Sequence, residues 1–385
     1  MKASMCTYPW DVADEGIDNA LDSIQQVAGM NDLTLAISYH IATYMLPRNP
    51  KRQLYYGEDG MLLFQPDMKR YSGRIKPRIS EVVDGPDFLK RQTDRIRERG
   101  MTLTAWMVYA YNHHLARTFR DCAKKDALGN PYLSQLCVGN PNVRSYFLTL
   151  TTEMMEKFTP ECVVLETLSY REFEYGLLNP KINALTPWHR FLLGLCMCEH
   201  CTTLATKRGM DGPAFRAEVA AALRRELQQL PTEQQMAAAV TPERIGNAFG
   251  GRLKKFIDAR THVASSLYEE VAKIVKNGKA EVRSTLYTEA NVPVTGLSPA
   301  RIDPLNSRPT VQPGADNVRS QSKLTRWTPY LAMDPSQHKS KADFAKVLSD
   351  CIDVGIQGFH IYNYGLLRKE ELEWVGATRD LWAGK

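Results

Sequence analysis

Nowhere in the chain do 18 apolar residues follow one another, so no membrane-spanning helix is expected. The first ten residues, with a single Lys, hold no apolar core of the kind a secretory leader needs, and a cytoplasmic location is expected. Charge of one sign is also scarce in excess: 49 Lys and Arg face 43 Asp and Glu, and the surplus of six is spread along the chain. No basic tract therefore points to nucleic acid. The pattern G-x-G-x-x-G, the P-loop, H-E-x-x-H and the EF-hand loop are all missing, which lowers the weight of the common cofactor folds. The eight Cys, at 6, 122, 137, 162, 196, 198, 201 and 351, form one cluster only. They read as reduced thiols rather than a disulfide framework.

What is present is the composition of a protein with a real core. With 43% hydrophobic residues, 24 Gly and 21 Pro in 385 positions, the chain departs from disordered and collagen-like compositions. Length alone favours two domains of about 150 residues each, yet α/β barrels commonly run to about 250 residues or more as one unit.

Apolar runs that end in polar or aromatic residues alternate with amphipathic helical patterns, the rhythm of βα units. Strands are predicted at 3–8, 33–39, 103–109, 162–168, 281–287, 328–333 and 356–362, with a sixth strand placed at 300–305 inside a stretch rich in Pro and Arg. Helices are predicted at 17–27, 88–99, 143–158, 253–275 and 370–382, and Phe344, Val347, Leu348 and Cys351 mark another. Residues 41–86 read as a long loop after strand two, and residues 177–250 as a helical insertion after strand four, with helices at 188–209 and 213–230. Eight units fit a single (β/α)8 TIM barrel spanning 1–385. An open doubly wound sheet would place a Gly-rich turn after its first strand; that position here reads Thr7-Tyr8-Pro9-Trp10-Asp11.

A barrel carries its site at the carboxyl ends of the strands. Those ends present Tyr8, Trp10 and Asp11; His40; Trp106, Tyr109, Asn112 and His113; Glu166 and Tyr170; Glu289; Asp334; and His360, Tyr362, Asn363 and Tyr364. Such a set suits a sugar, whose C–H faces pack on aromatic rings and whose hydroxyls meet amides and acids. Glu166 is the sharpest position, because Val163-Val164-Leu165 runs an apolar strand directly into it. Burial would favour its protonated form and suit it to general acid work. Glycoside hydrolysis by two carboxylates needs a partner at roughly 5 Å for retention or roughly 6.5–9.5 Å for inversion. Asp334 and Glu289 are the leading candidates, with Asp11 behind them.

Three thiols and an imidazole crowd into Cys196-Met197-Cys198-Glu199-His200-Cys201. Cys196, Cys198 and Cys201 would hold a structural zinc if His200 or a distant Cys supplied a fourth ligand; otherwise no cofactor is expected. His113 and His114, read as strand neighbours, would put at most one imidazole in the pocket. Two other functions stay open. One is a metal-dependent lyase or isomerase in which His40, His113, Glu166 and His360 gather around a divalent ion. The other is a sugar-binding barrel without catalysis.

In order along the chain, Tyr8-Pro9-Trp10-Asp11 with Asp14-Glu15-Gly16, Ser38-Tyr39-His40, 136–144, Val164-Leu165-Glu166, 195–201 and Tyr362-Asn363-Tyr364-Gly365 resemble motifs of bacterial glycoside-hydrolase-like barrels. These are relatives of the α-amylase-type and β-galactosidase-type barrels. The resemblance implies a (β/α)8 fold, a small carbohydrate or glycoside as substrate, and the strand-four carboxylate role for Glu166. Strand four departs from retaining glycosidases in lacking an Asn-Glu pair, and strand seven lacks their Glu. The two large excursions are big enough to build a homo-oligomer interface or a lid.

Overall fold

The computed structural model describes residues 1–384. Eight parallel strands form the centre: β1 (Lys2–Thr7), β2 (Asp32–Tyr39), β3 (Thr102–Val108), β4 (Cys162–Glu166), β5 (Glu281–Arg283), β6 (Thr310–Val311), β7 (Tyr330–Met333) and β8 (Gly358–Ile361). Their order is β5-β4-β3-β2-β1-β8-β7-β6. A parallel bridge between Thr285 and Thr310, with Thr310 N–H donating to Ser284 O at 2.8 Å, closes β6 onto the segment after β5. The result is the (β/α)8 barrel. All eight residues of β2 are buried, as expected where helices cover the outside and side chains fill the inside.

Local signals explain the outer helices. Asn140 caps the helix Pro141–Phe158 by accepting from Asn142 N–H, and Thr159 ends it in the left-handed conformation. The helix Arg252–Asn277 buries one stripe, including Phe256, Leu267 and Val271, against the barrel. After β2 the excursion contains an antiparallel hairpin, Thr43–Met45 with Leu54–Tyr56, and a short strand, Met61–Leu62, that pairs antiparallel with β2. After β4 come helices Pro187–Gly194, Glu199–Thr206 and Gly212–Glu226.

Three expectations are corrected. Residues 300–305 are not strand six: Pro299–Ile302 is a helical turn with Pro at its start, and the strand is Thr310–Val311. His113 and His114 are not strand neighbours, because Asn112 accepts from Leu115 N–H and starts a helix at His113. The continuous helix expected over 188–209 is broken at 195–198, where the thiol cluster sits.

Candidate active site at the barrel mouth

A cavity of about 420 Å³ opens at the carboxyl ends of the strands. Its walls come from all eight strands or the turns that follow them, with Cys6 from β1 and Ala332 from β7. Tyr39 and His40 follow from β2, Trp106 from β3, and Glu166 with Arg171 and Tyr175 from β4 and its loop. Arg283, Thr285 and Tyr287 come from β5 and beyond, Thr310 and Gln312 from β6, and His360 with Tyr362 from β8 and its end.

Glu166 is the last residue of β4. The indole N–H of Trp106, on the neighbouring strand, donates to its Oε2 at 2.6 Å. Burial pushes the carboxyl above its usual range, against the indole hydrogen bond and the nearby charge of Arg171. The next residue, Thr167, lies at φ +54°. A β-branched residue rarely adopts that conformation, which costs on the order of 1–3 kcal/mol and turns the chain sharply just beyond the carboxylate.

The aromatic walls are built on a hidden tyrosine. Tyr8 is fully buried, and its hydroxyl donates to Tyr39 Oη at 2.9 Å and lies 3.2 Å from Tyr362 Oη. The two wall tyrosines are thus held by a residue beneath them. Tyr39 and Tyr362 both pack edge-on near Trp106, with ring centroids 4.9 and 6.1 Å away. Burial raises all three phenols, so they stay protonated.

The two wall histidines are neutral. His40 Nδ1 donates to Ile41 O at 2.8 Å, which leaves the lone pair on Nε2, and burial lowers its basicity. His360 is pushed down to about 3 by burial and by the charge of Arg283.

Of the sequence candidates, Glu166, His40, Trp106, His360 and Tyr362 meet in this cavity. The others lie elsewhere, for visible reasons. Trp10 is fully buried and stacks on Tyr8 at 4.4 Å. Tyr109 is core, with its hydroxyl 3.0 Å from Thr151 Oγ1. Asn112 is spent on its helix cap, and His113 is held by Gly176 O at 2.9 Å from Nε2. Tyr170 packs with the thiols, its hydroxyl 3.2 Å from Cys201 Sγ.

Asp11, Asn363 and Tyr364 form a separate buried polar layer. Asp11 accepts from Asn49 at 3.1 Å, Asn363 accepts from Gly365 N–H, and the Tyr364 hydroxyl donates to Glu15 at 2.6 Å. Gly365 is needed there, since a Cβ would lie 2.1 Å from Asp11 Oδ2.

Neither proposed partner carboxylate reaches the cavity. Asp334 accepts from both the N–H and the hydroxyl of Ser336, capping a short turn. Glu289 is exposed at the start of another turn. Glu166 is the one acidic side chain on the cavity wall among the described residues. The four-residue metal set of His40, His113, Glu166 and His360 is likewise not assembled, because His113 points at Asp59 and Gly176.

Sequence reasoning missed Arg283, Arg171, Tyr175, Thr285, Thr310 and Gln312. The strand expected at 281–287 puts Arg283 in its interior, whereas the strand ends at it, and a lone Arg in Glu281–Arg283 carries no pattern that marks it.

A second cluster lies behind the β3 and β4 loops. Cys137, Cys196, Cys198 and Cys201 are all buried, and their Sγ atoms lie within 4.8 Å of one another. Cys137 Sγ is 3.5 Å from those of Cys198 and Cys201. Four thiolates around zinc, at bonds of about 2.3 Å, stand roughly 3.8 Å apart, so the donor set fits that ion. Cys137 is the fourth thiol of the cluster, the one the sequence could not identify.

The parallel eight-stranded barrel is similar in fold to solved glycoside hydrolases. The chain is similar to α-L-fucosidase isoenzyme 2 from Paenibacillus thiaminolyticus (TM-score 0.55, 11% identity, 100% of this chain and 51% of that one). It is similar as well to the catalytic domain of β-amylase from Paenibacillus polymyxa (0.55, 11%, 98% and 97%). A β-galactosidase from the Antarctic haloarchaeon Halorubrum lacusprofundi matches at 0.59 and 10%, over 99% of this chain and 58% of that one. The chain thus spans about half of the fucosidase and nearly all of the β-amylase domain. No protein-family model matches the sequence, and no curated protein matches it.

Proposed function

We propose that this barrel acts on a glycosidic bond, with Glu166 as the general acid and base. The observation that carries the reading is a carboxyl raised by burial, hydrogen-bonded by Trp106, at the end of β4 in a cavity walled by Tyr39, Trp106 and Tyr362. The aromatic walls take the C–H faces of a sugar ring, and the neutral phenols meet its hydroxyls. Protonated Glu166 gives its proton to the glycosidic oxygen as the C–O bond breaks. Water then adds to the anomeric carbon and returns a proton to Glu166, so one water is consumed and the carboxyl is restored. With Asp334 and Glu289 outside the cavity, the second carboxylate of the usual pair is not assigned to either; enzymes with a tyrosine or the substrate itself in that role are known.

Glu166→Gln is expected to lower turnover of O-glycosides by at least about a hundredfold while the melting temperature is retained. Normal activity in that variant would remove Glu166 from the chemistry. Sugar binding without turnover by the wild type would instead favour a receptor.

We also assign Cys137, Cys196, Cys198 and Cys201 as ligands of a structural zinc. Bound there, the ion would tie the insertion after β4 to the loop after β3. It has no part in the proton transfers.

A further inference from the structure

We infer that the sugar bound in this cavity carries a carboxylate, a hexuronic acid unit whose anion is held by Arg283. The inference rests on the reading of the cavity as a sugar site.

Arg283 is 1% exposed, yet its side chain lines the cavity. A buried guanidinium is always charged and almost always has an anionic partner, because leaving the charge unpaired costs several kcal/mol. Arg283 has none among the described residues. Its Nη2 donates to Thr34 Oγ1 at 3.0 Å, and its guanidinium lies over the Tyr330 ring at 4.2 Å. Nε and Nη1 meet no acceptor at all.

The nearby groups that could neutralise it are otherwise engaged or uncharged. The charge of Asp32 favours the cation from a distance, but its oxygens are taken by Lys2 at 3.0 Å and by the hydroxyls of Thr102 and Thr104. Burial pushes the Cys6 thiol up to about 12 and raises Cys162 too, so neither supplies a thiolate. His360 is neutral and its Nδ1 is also without a partner. The cavity wall therefore holds two cations, Arg171 and Arg283, against the single carboxyl of Glu166.

Depth decides where the anion goes. Arg283 pairs in register with Val164, two residues below Glu166 on the adjacent strand. That offset is about 7 Å along the strand, room for one pyranose ring between the carboxyl that works on the glycosidic oxygen and the cation beneath. A carboxylate on the far side of the ring would lie beside this guanidinium and supply the anion that it lacks.

The test is calorimetric binding of D-glucuronate, D-galacturonate, D-glucose, D-galactose and glucose 6-phosphate to the wild type and to Glu166→Gln. At least one uronate is expected to bind about ten- to a hundredfold tighter than its neutral counterpart. Arg283→Met should abolish that preference. Because this variant leaves a buried gap, Arg283→Lys provides the second measurement: it keeps the charge, sheds donors and should narrow the preference several-fold.

Equal binding of uronates and neutral sugars overturns the inference, as does no saturable binding of any of the five. A preference unchanged in Arg283→Lys, or glucose 6-phosphate binding tighter than both uronates, overturns it as well. The outcomes separate it from the reading it rests on. Turnover of neutral glycosides without a uronate preference removes the acidic substrate and leaves the glycosidase, whereas uronate preference without any turnover does the reverse.

Discussion

Trp106 shows how one side chain sets the behaviour of another. Its indole N–H stabilises the ionised form of Glu166, so it holds the carboxyl down while burial raises it. Trp106→Phe removes that donor, and the Glu166 carboxyl should rise further. If Glu166 works as an acid, the alkaline limb of the pH–rate profile should then move to higher pH, and an unmoved limb would detach Trp106 from the proton transfer. Asp11 offers a stability test at the same scale. Burial pushes it up to about 7, so the folded state holds a proton that the unfolded chain releases near pH 4. Between about pH 4 and pH 7 Asp11 is more protonated in the native state than in the unfolded chain, and its contribution to stability falls as pH rises through that window. Asp11→Asn lacks this titration. Melting temperatures recorded from pH 5 to pH 8 should fall more steeply for the wild type than for the variant.

At the scale of elements, the loops after β3 and β4 act as one unit. Met197 N–H donates to Lys125 O at 2.7 Å, and Nζ of the buried Lys124 donates to the carbonyl of Arg171 at 2.7 Å. A zinc on the four thiols would therefore stiffen the antiparallel pair Ala123–Lys125 and Pro131–Leu136, whose Lys124 holds the Arg171 carbonyl beside the cavity wall. The native protein is expected to contain close to one zinc per chain. Its removal by a strong chelator should lower the melting temperature by more than about 5 °C. Cys137→Ser should reproduce that loss and make the chelator ineffective, while a metal-free protein with an unchanged melt would reduce the cluster to packed thiols.

For the whole molecule, the barrel is unevenly closed. β2 and β3 pair over most of their length, from Asp32 with Thr102 to Ser38 with Met107. β6 has two paired residues with β7, and a single bridge with the segment after β5. Opening free energy follows the local density of such pairings. Hydrogen exchange should therefore find the ladder amides around Thr310 among the least protected of the barrel and those of β2 and β3 among the most. Uniform protection would show that the seam is stabilised from outside the sheet. Thr285, Thr310 and Gln312, on or beside this seam, line the cavity.

The rhythm of apolar runs and amphipathic helices was enough to read a (β/α)8 barrel, because burial on both faces of a strand and one face of a helix leaves a periodic trace in the chain. The same trace placed Glu166 at the end of β4, where a polar residue interrupts Cys162–Leu165. β6 left too little of it: two strand residues among Pro and Arg have no period, and the helical turn at Pro299–Ile302 looked more regular. Only the folded chain could decide which polar side chains share a space. Tyr8 and Tyr362 lie 354 positions apart and meet through their hydroxyls. Cys137 joins thiols that follow it by about 60 positions. Asp334 and Glu289 sit near the right strand ends, yet each turns into its own local cap or into solvent. Arg283 was invisible for the complementary reason. Its meaning lies in the partners it does not have, and a missing partner exists only in three dimensions.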